Sequence, residues 1–411
     1  MGTRARMKAN TAAGLVAMAF AFLVRPVPPA GAASAGIFSD KAITSILRKV
    51  NSYQLANLRE GPARDWIRGT YYTGVMAAYE ATGDTAYLRQ ALDWGEKHQW
   101  RVGTDGPGAN KLTCVQTWVQ LYFLKNREEM IQPAIRHLLS GGPKTPTGER
   151  VWYLASGRRY VDSLYVAPPA LAMLAMATGD GRYLRYMDEM FWDVHAELFD
   201  EEEGLFYRDK RFRVRPGAPE APPLDASEIR RKRATWVYTR SLNGGKVLWS
   251  RGNGWAFAGI ARILSFVPKD HPTRPRYVKL FRAMAASLAE RQGEDGLWRV
   301  NLDDPLEYPN PETSGSGFFC YGFAWGVNNG LLDGDKYLPV VRKAWEGLVD
   351  SVSEEGKVCW GQLVAGGPYE VFREDSHEYV TGTFLLAGSQ VLQLVRAGRM
   401  ERADAGSTRP R

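Results

Sequence analysis

The residues best suited to chemistry form the stretch Trp249-Ser250-Arg251-Gly252-Asn253-Gly254-Trp255, where two indoles and a guanidinium fall within seven positions. Indole faces stack on sugar rings, and an arginine fork pairs with a carboxylate. Together they fit a uronic acid, which has one apolar face and one carboxylate. Two glycines in the stretch are expected to keep the backbone accessible where a helix begins. A helix N-terminus with packing tryptophans accounts for the same residues. A second segment is Tyr160-Val161-Asp162-Ser163-Leu164-Tyr165-Val166-Ala167-Pro168-Pro169, in which Asp162 is the only acid between Glu149 and Asp180. A carboxyl among apolar and aromatic neighbours is desolvated, its pKa rises, and it can act as a general acid near neutral pH. An aspartate capping a helix is the structural alternative.

A third segment, Pro311-Glu312-Thr313-Ser314-Gly315-Ser316-Gly317-Phe318-Phe319-Cys320-Tyr321, leads small hydroxyl residues into an aromatic helix. Such residues can line a sugar cleft. It is not G-x-S-x-G and has no evident His or Asp partner, which argues against a serine hydrolase. Trp66-x-x-Gly69-x-x-Tyr72-x-Gly74 opens another helix in the same manner. The five histidines are scattered, no H-E-x-x-H occurs, and no phosphate-binding G-x-x-x-x-G-K-[ST] is present. Neither a metal nor another cofactor is therefore expected.

Taken in order, W-x-x-G-x-x-Y-x-G, D-x-L-[FY]-x-x-P-P, W-S-R-G-N-G-W and E-T-S-G-S-G resemble the unsaturated rhamnogalacturonyl and glucuronyl hydrolases, glycoside hydrolase families 105 and 88. The resemblance runs from about residue 40 to residue 395. It implies an (α/α)6 barrel with the site at one open end, and an unusual reaction. An Asp protonates C4 of a 4,5-unsaturated uronic acid, water adds at C5, and the resulting hemiketal opens to release the sugar. Asp162 matches that Asp. Arg251 and Trp255 match substrate contacts, Trp249 shares their loop, and Trp66, Tyr165 and Thr313 stand in the neighbouring motifs. Two positions depart from the pattern. Where relatives carry A-D-D-H, this chain reads Ala109-Asn110-Lys111-Leu112, so the second carboxylate is missing; Asn110 is expected to hydrogen-bond Asp162 or the sugar. Where relatives place a His after an aromatic pair, Arg208 follows Phe206-Tyr207.

Two other readings stand beside this one: a non-catalytic glycan-binding protein on a decayed enzyme, and a different (α/α)6 glycosidase or lyase. Inverting hydrolysis needs two carboxyls roughly 6.5–9.5 Å apart; Asp65, Glu312 and Glu378 are the candidates to partner Asp162.

The elements that must position these residues are helices. Apolar residues recur at three and four spacing in about twelve segments, beginning near residues 41, 66, 84, 112, 128, 164, 180, 250, 275, 315, 335 and 378. Strand-like alternation is confined to pieces such as Gly204–Phe206 and Gly296–Val300. A repeat, Ala-Thr-Gly-Asp followed by Tyr-Leu, occurs at residues 81–88 and 177–184, with looser copies near Asp270 and Asp333. Its Gly suits the left-handed end of one helix and its Asp the cap of the next. Paired helices repeated about six times suit an (α/α)6 barrel, all-α, over residues 33–395.

The chain of 411 residues carries 53 Lys+Arg against 45 Asp+Glu, a formal charge of +8. That excess is local. Residues 1–32 hold four cations and no acid, the tail from Arg396 five Arg against two acids, and residues 208–246 eleven cations against four acids. Arg4, Arg6 and Lys8, an apolar run from Thr11 to Val24, and Ala30-Gly31-Ala32 follow the order of a secretory signal peptide cleaved near Ala32. A secreted or periplasmic protein without stable membrane insertion is expected. Residues 208–246 read as an inserted basic loop, and 396–411 as a disordered basic tail. Arg230-Arg231-Lys232-Arg233 reads as a solvated run or a contact for an anionic polymer. Nucleic-acid motifs are absent, so the expected partner is an anionic oligosaccharide. Three distant cysteines, Cys114, Cys320 and Cys359, read as buried small hydrophobes.

Overall fold

The computed structural model describes residues 36–104, 108–139, 159–214, 239–241 and 243–400. The leader, the Arg230–Arg233 run, the middle of the basic loop and residues 401–411 lie outside them.

Among the described residues, twelve helices and one extra turn build the frame: α1 (Asp40–Ala56), α2 (Trp66–Thr82), α3 (Thr85–Lys97), α4 (Thr113–Lys125), α5 (Gln132–Leu139), the one-turn α6 (Ser163–Val166) running into α7 (Pro168–Thr178), α8 (Arg182–Leu198), α9 (Ser250–Phe266), α10 (Arg274–Glu290), α11 (Thr313–Asn328), α12 (Gly334–Asp350) and α13 (Glu378–Arg396). They fall into two kinds. In α2, α4, α7, α9, α11 and α13 nearly every position of the first turns is buried. In α3, by contrast, burial is confined to Tyr87, Ala91, Trp94 and Gly95, one face. A helix apolar or small all round belongs inside, and one with a single apolar stripe lies outside it. The inner six close a ring: α2 packs on α4, α4 on α7, α7 on α9, α9 on α11, α11 on α13, and α13 back on α2. The fold is an all-α (α/α)6 barrel.

Close approach inside the ring depends on glycine. A Cβ on Gly74 of α2 would strike the Gly382 carbonyl of α13, and one on Gly382 would strike Thr70 and Tyr71. The Ala-Thr-Gly-Asp repeat makes the hairpin joints. Gly83 and Gly179 take φ of +71° and +72°, Asp84 accepts the Ala86 N–H at 3.0 Å, and Asp180 accepts that of Arg182 at 2.9 Å. Pro168 and Pro169 open α7, where a missing N–H costs nothing.

Because one outer helix returns the chain between successive inner ones, the inner helices share a direction. Their N-terminal ends gather at one end of the barrel. The expected strand pieces are small. Phe199–Asp200 (β1) pairs antiparallel with Leu205–Phe206 (β2), and Gly296–Val300 contributes only isolated bridges. The body also runs past residue 396, where a disordered tail was expected. Arg396 bonds Asp40 and the Ala81 carbonyl, Arg399 donates to Val327, and Met400 is buried. No helix among the described residues is long and apolar enough to cross a membrane.

Candidate active site

Every motif singled out for chemistry sits at the N-terminal end of an inner helix, and so at the same mouth of the barrel. Trp66 begins α2, Asn110 forms the 3-10 turn before α4, and Asp162 precedes α6. Trp249 and Arg251 open α9, with Trp255 one turn on. Thr313 opens α11.

Asp162 has helical backbone angles, and its side chain makes no capping bond, so the capping alternative does not describe it. A fifth of the side chain is open, while Oδ2 is buried without a hydrogen-bond partner. The Arg208 Nε lies 3.6 Å from that oxygen. Burial pushes the Asp162 carboxyl above the usual range, against the pull of Arg208 and then of Arg251. The hairpin fixes Arg208 in place: its carbonyl accepts the Val161 N–H at 2.9 Å, and Asn253 brackets Phe206 with bonds of 2.7 and 2.9 Å. The guanidinium lies 5.6 Å from the Tyr160 ring, whose hydroxyl donates to Asn110 Oδ1 at 2.7 Å. Asn110 thus reaches this cluster through Tyr160.

The aromatic residues form one connected wall, but Trp255 and Tyr165, expected to touch the sugar, are buried in it, as is Trp249 beside it, and Trp66 is the part-exposed member. Trp66 meets Trp255 edge-on at 5.9 Å and stacks on Tyr379 at 5.3 Å; Trp255 touches Tyr165 at 5.1 Å and Phe318 at 4.6 Å. The Tyr165 hydroxyl is bonded to Thr73, and the Trp255 Nε1 is buried without a partner.

Three expectations need correction in detail. Arg251 is buried, and its fork is spent inside the protein, donating to the carbonyls of Gln362 at 2.5 Å and Leu363 at 2.8 Å. With Trp249 Nε1 bonded to Gln362 Oε1 at 2.7 Å, it pins the loop that follows α12. Thr313 is wholly buried, its hydroxyl donating to the Cys359 carbonyl at 2.7 Å, so it braces the mouth and does not face a sugar. The glycines of the tryptophan stretch serve packing: a Cβ on Gly252 would press on Trp249 and Val161, and one on Gly254 on Phe318.

The acids considered as partners for Asp162 are committed elsewhere. Asp65 caps α2 and pairs with Arg59; Glu378 forms a buried pair with Arg68. Glu312 caps α11 and receives Ser314 N, Gly315 N, Gln362 N and the Ser250 and Ser314 hydroxyls. None has a free face for a second catalytic carboxylate. Sequence reasoning did not single out Gln362, Tyr379 and Asp209. Tyr379 alone carried a signal, because it stands in the first turn of an inner helix, as the motif residues do.

A helical barrel that gathers a desolvated carboxyl, an arginine and a wall of indoles at one open end defines a carbohydrate-active enzyme of the six-hairpin type. The chain belongs to Glycosyl Hydrolase Family 88, whose sequence profile matches residues 38–221 and 229–395, and it is accordingly a glycoside hydrolase. It is 34% identical over 347 residues to the unsaturated 3S-rhamnoglycuronyl hydrolase of Formosa agariphila, covering 80% of this chain and 85% of that one. Among solved structures, a family 88 glycosyl hydrolase from Bacteroides vulgatus superposes with a TM-score of 0.74 at 28% identity, covering 86% of this chain and 99% of that one. A protein described as a polysaccharide lyase superposes with the same score at 29% identity, over 87% and 98%.

Proposed function

We propose that the enzyme releases a 4,5-unsaturated uronic acid from the non-reducing end of lyase-generated oligosaccharides, with Asp162 as proton donor. The observation that carries this reading is the Asp162 carboxyl: partly open, with Oδ2 desolvated and lacking a hydrogen-bond partner, at an arginine- and indole-lined mouth. In the hydration reaction, the Asp162 proton goes to C4 and water adds at C5. The water's second proton returns to the Asp162 carboxylate. The C5 hemiketal then opens its ring and the aglycone leaves. One carboxyl suffices, because the group that donates a proton regains one within the same addition. That matches a site in which Asp65, Glu312 and Glu378 are spent on helix caps and buried pairs. The positive ends of six inner helices converge on the mouth and favour an anionic sugar. Trp66, the part-exposed indole of the wall, supplies a stacking face.

The relative's name points to rhamnose as the aglycone-side sugar, and a pectin-type rhamnogalacturonan fragment is one source of it. The leader motif from Arg4 to Ala32 supports export of the mature enzyme.

The test follows the ultraviolet absorbance of the C4=C5–carboxylate system in lyase-digested polysaccharides of several kinds. Wild type is expected to abolish it, and Asp162→Asn to slow that loss by at least about a hundredfold. Equal rates would remove Asp162 from the chemistry. Growth of the absorbance on intact polymer would mark a lyase, and binding without turnover a glycan-binding protein.

A further inference from the structure

The turn after β2 reads Arg208-Asp209-Lys210-Arg211. Asp209 is wholly buried, yet it is ionised and held: it accepts Arg208 Nη1 at 2.7 Å, Arg211 Nε at 2.8 Å and Nη2 at 2.7 Å, and the Arg211 N–H at 3.0 Å. Arg208 is only 9% exposed. Its Nε stops 3.6 Å from Asp162 Oδ2, beyond hydrogen-bond reach, and each of these two buried atoms lacks a hydrogen-bond partner. A closure of about 0.7–0.9 Å would give a charge-assisted pair and hold Asp162 as a carboxylate. The tether to Asp209 opposes that closure.

We propose that Asp209 is a positioning residue: its carboxylate keeps Arg208 short of a hydrogen bond to Asp162, leaving Oδ2 without the donor that would hold it ionised. The proposal rests on the reading of Asp162 as proton donor. It gives a role to a buried carboxylate that touches neither substrate nor reacting atoms. The other charges acting on Asp162 are Arg251 at the head of α9, which favours its ionised form, and the Asp209 carboxylate, which opposes it. Arg211 faces Asp209, Tyr160 lies beside Arg208, and Tyr160 links to the uncharged Asn110 of the turn before α4.

The readout is the alkaline limb of kcat/KM against pH. A proton donor must be protonated, so the rate falls as pH rises through its pKa, and stronger pairing with Arg208 moves that fall to lower pH. Asp209→Asn is expected to lower the limb by about one pH unit, roughly tenfold in rate on that limb. Arg208→Gln is expected to raise it. The double variant is expected to follow Arg208→Gln, because Asp209 acts through Arg208. A loss of rate at all pH values with the limb unmoved in Asp209→Asn would show a merely structural role and overturn the proposal. If Asp209→Asn does not fold, the double variant, which removes the Arg208 charge together with that of Asp209, carries the test; a limb more than about half a unit from that of Arg208→Gln overturns it. If wild type turns over no unsaturated substrate, the functional reading fails separately. Carboxyl NMR titration of Asp162 in wild type, Asp209→Asn, Arg208→Gln and the double variant then decides the tether, which requires a lower Asp162 pKa in Asp209→Asn and a much smaller fall between Arg208→Gln and the double variant.

Discussion

Glu312 is where the assignment of catalysis to a single carboxyl is most open to challenge, because an acid in a motif beside the mouth invites a catalytic role. The structure gives it another. Its Oε1 accepts Ser314 N at 2.8 Å, Gln362 N at 3.2 Å and the Ser314 hydroxyl; its Oε2 accepts Gly315 N at 2.7 Å and the Ser250 hydroxyl at 3.0 Å. Glu312→Gln keeps one acceptor oxygen and turns the other end into a donor facing a buried N–H. The two serine hydroxyls can reorient, but the backbone donor cannot. One buried donor left unsatisfied costs about 2 kcal/mol. At about 2 °C or less per kcal/mol for a chain of this size, the melting temperature should fall by about 2–4 °C. Glu312→Ala removes the cap and strands three backbone donors, on the order of 4 kcal/mol and twice that fall or more. Thermal unfolding and the absorbance assay are run on the same preparations, the latter well below the transition. Glu312→Gln should retain kcat within about threefold, since its charge reaches no reacting atom. A kcat loss of a thousandfold with unchanged melting would refute the reasoning and make Glu312 the second carboxylate.

Other consequences follow from the same packing. Arg68→Met, which leaves the buried Glu378 only the Arg59 N–H and a looser approach of the Arg59 guanidinium, should cost about 3 kcal/mol, and Arg68→Met/Glu378→Leu should recover at least half of it in denaturant titrations. Gly382→Ala sets a methyl against the backbone of Thr70 and Tyr71 and should destabilise by about 3 kcal/mol or more, measured the same way. His377 caps α13 through Nδ1, stacks on Tyr379 at 4.9 Å, and is pushed down to about 4 by burial. Between that value and the unfolded value near 6.5 the unfolded chain binds more protons, so this residue makes stability fall as pH drops through that window. His377→Asn keeps a capping side chain and should flatten that part of the melting-temperature profile.

Much of the barrel was legible because its signals are local. The Gly-Asp joints at 83–84 and 179–180, the Pro168-Pro169 start and the three-and-four apolar spacing each fix a few residues at a time, and the helix starts read from them lie within a few residues of those observed. The site was legible in its members more than in their duties. Asp162 and the tryptophans stand where the motifs put them. Arg251 and Thr313 do not face outward as their residue types suggested, because a guanidinium or hydroxyl serves a backbone carbonyl as well as a sugar. Which it serves depends on a loop a hundred residues away in the case of Arg251 and Gln362. Asp209 was invisible for a related reason: in a run of charges nothing distinguishes the one carboxylate that the fold buries.

By itself, the sequence determined that this chain makes paired helices and that its chemistry-bearing residues stand where helices begin. These properties follow from side-chain volume, polarity and capping within a few residues. Only the tertiary structure decided that the six helix starts meet at one mouth, that Asp65, Glu312 and Glu378 are used up in caps and pairs, and that Arg208 stops 3.6 Å from Asp162. Those facts depend on ring closure, with Gly74 against Gly382, and on burial that only distant segments can supply. Desolvation and tenths of an ångström set proton affinity, and neither is written in residue order.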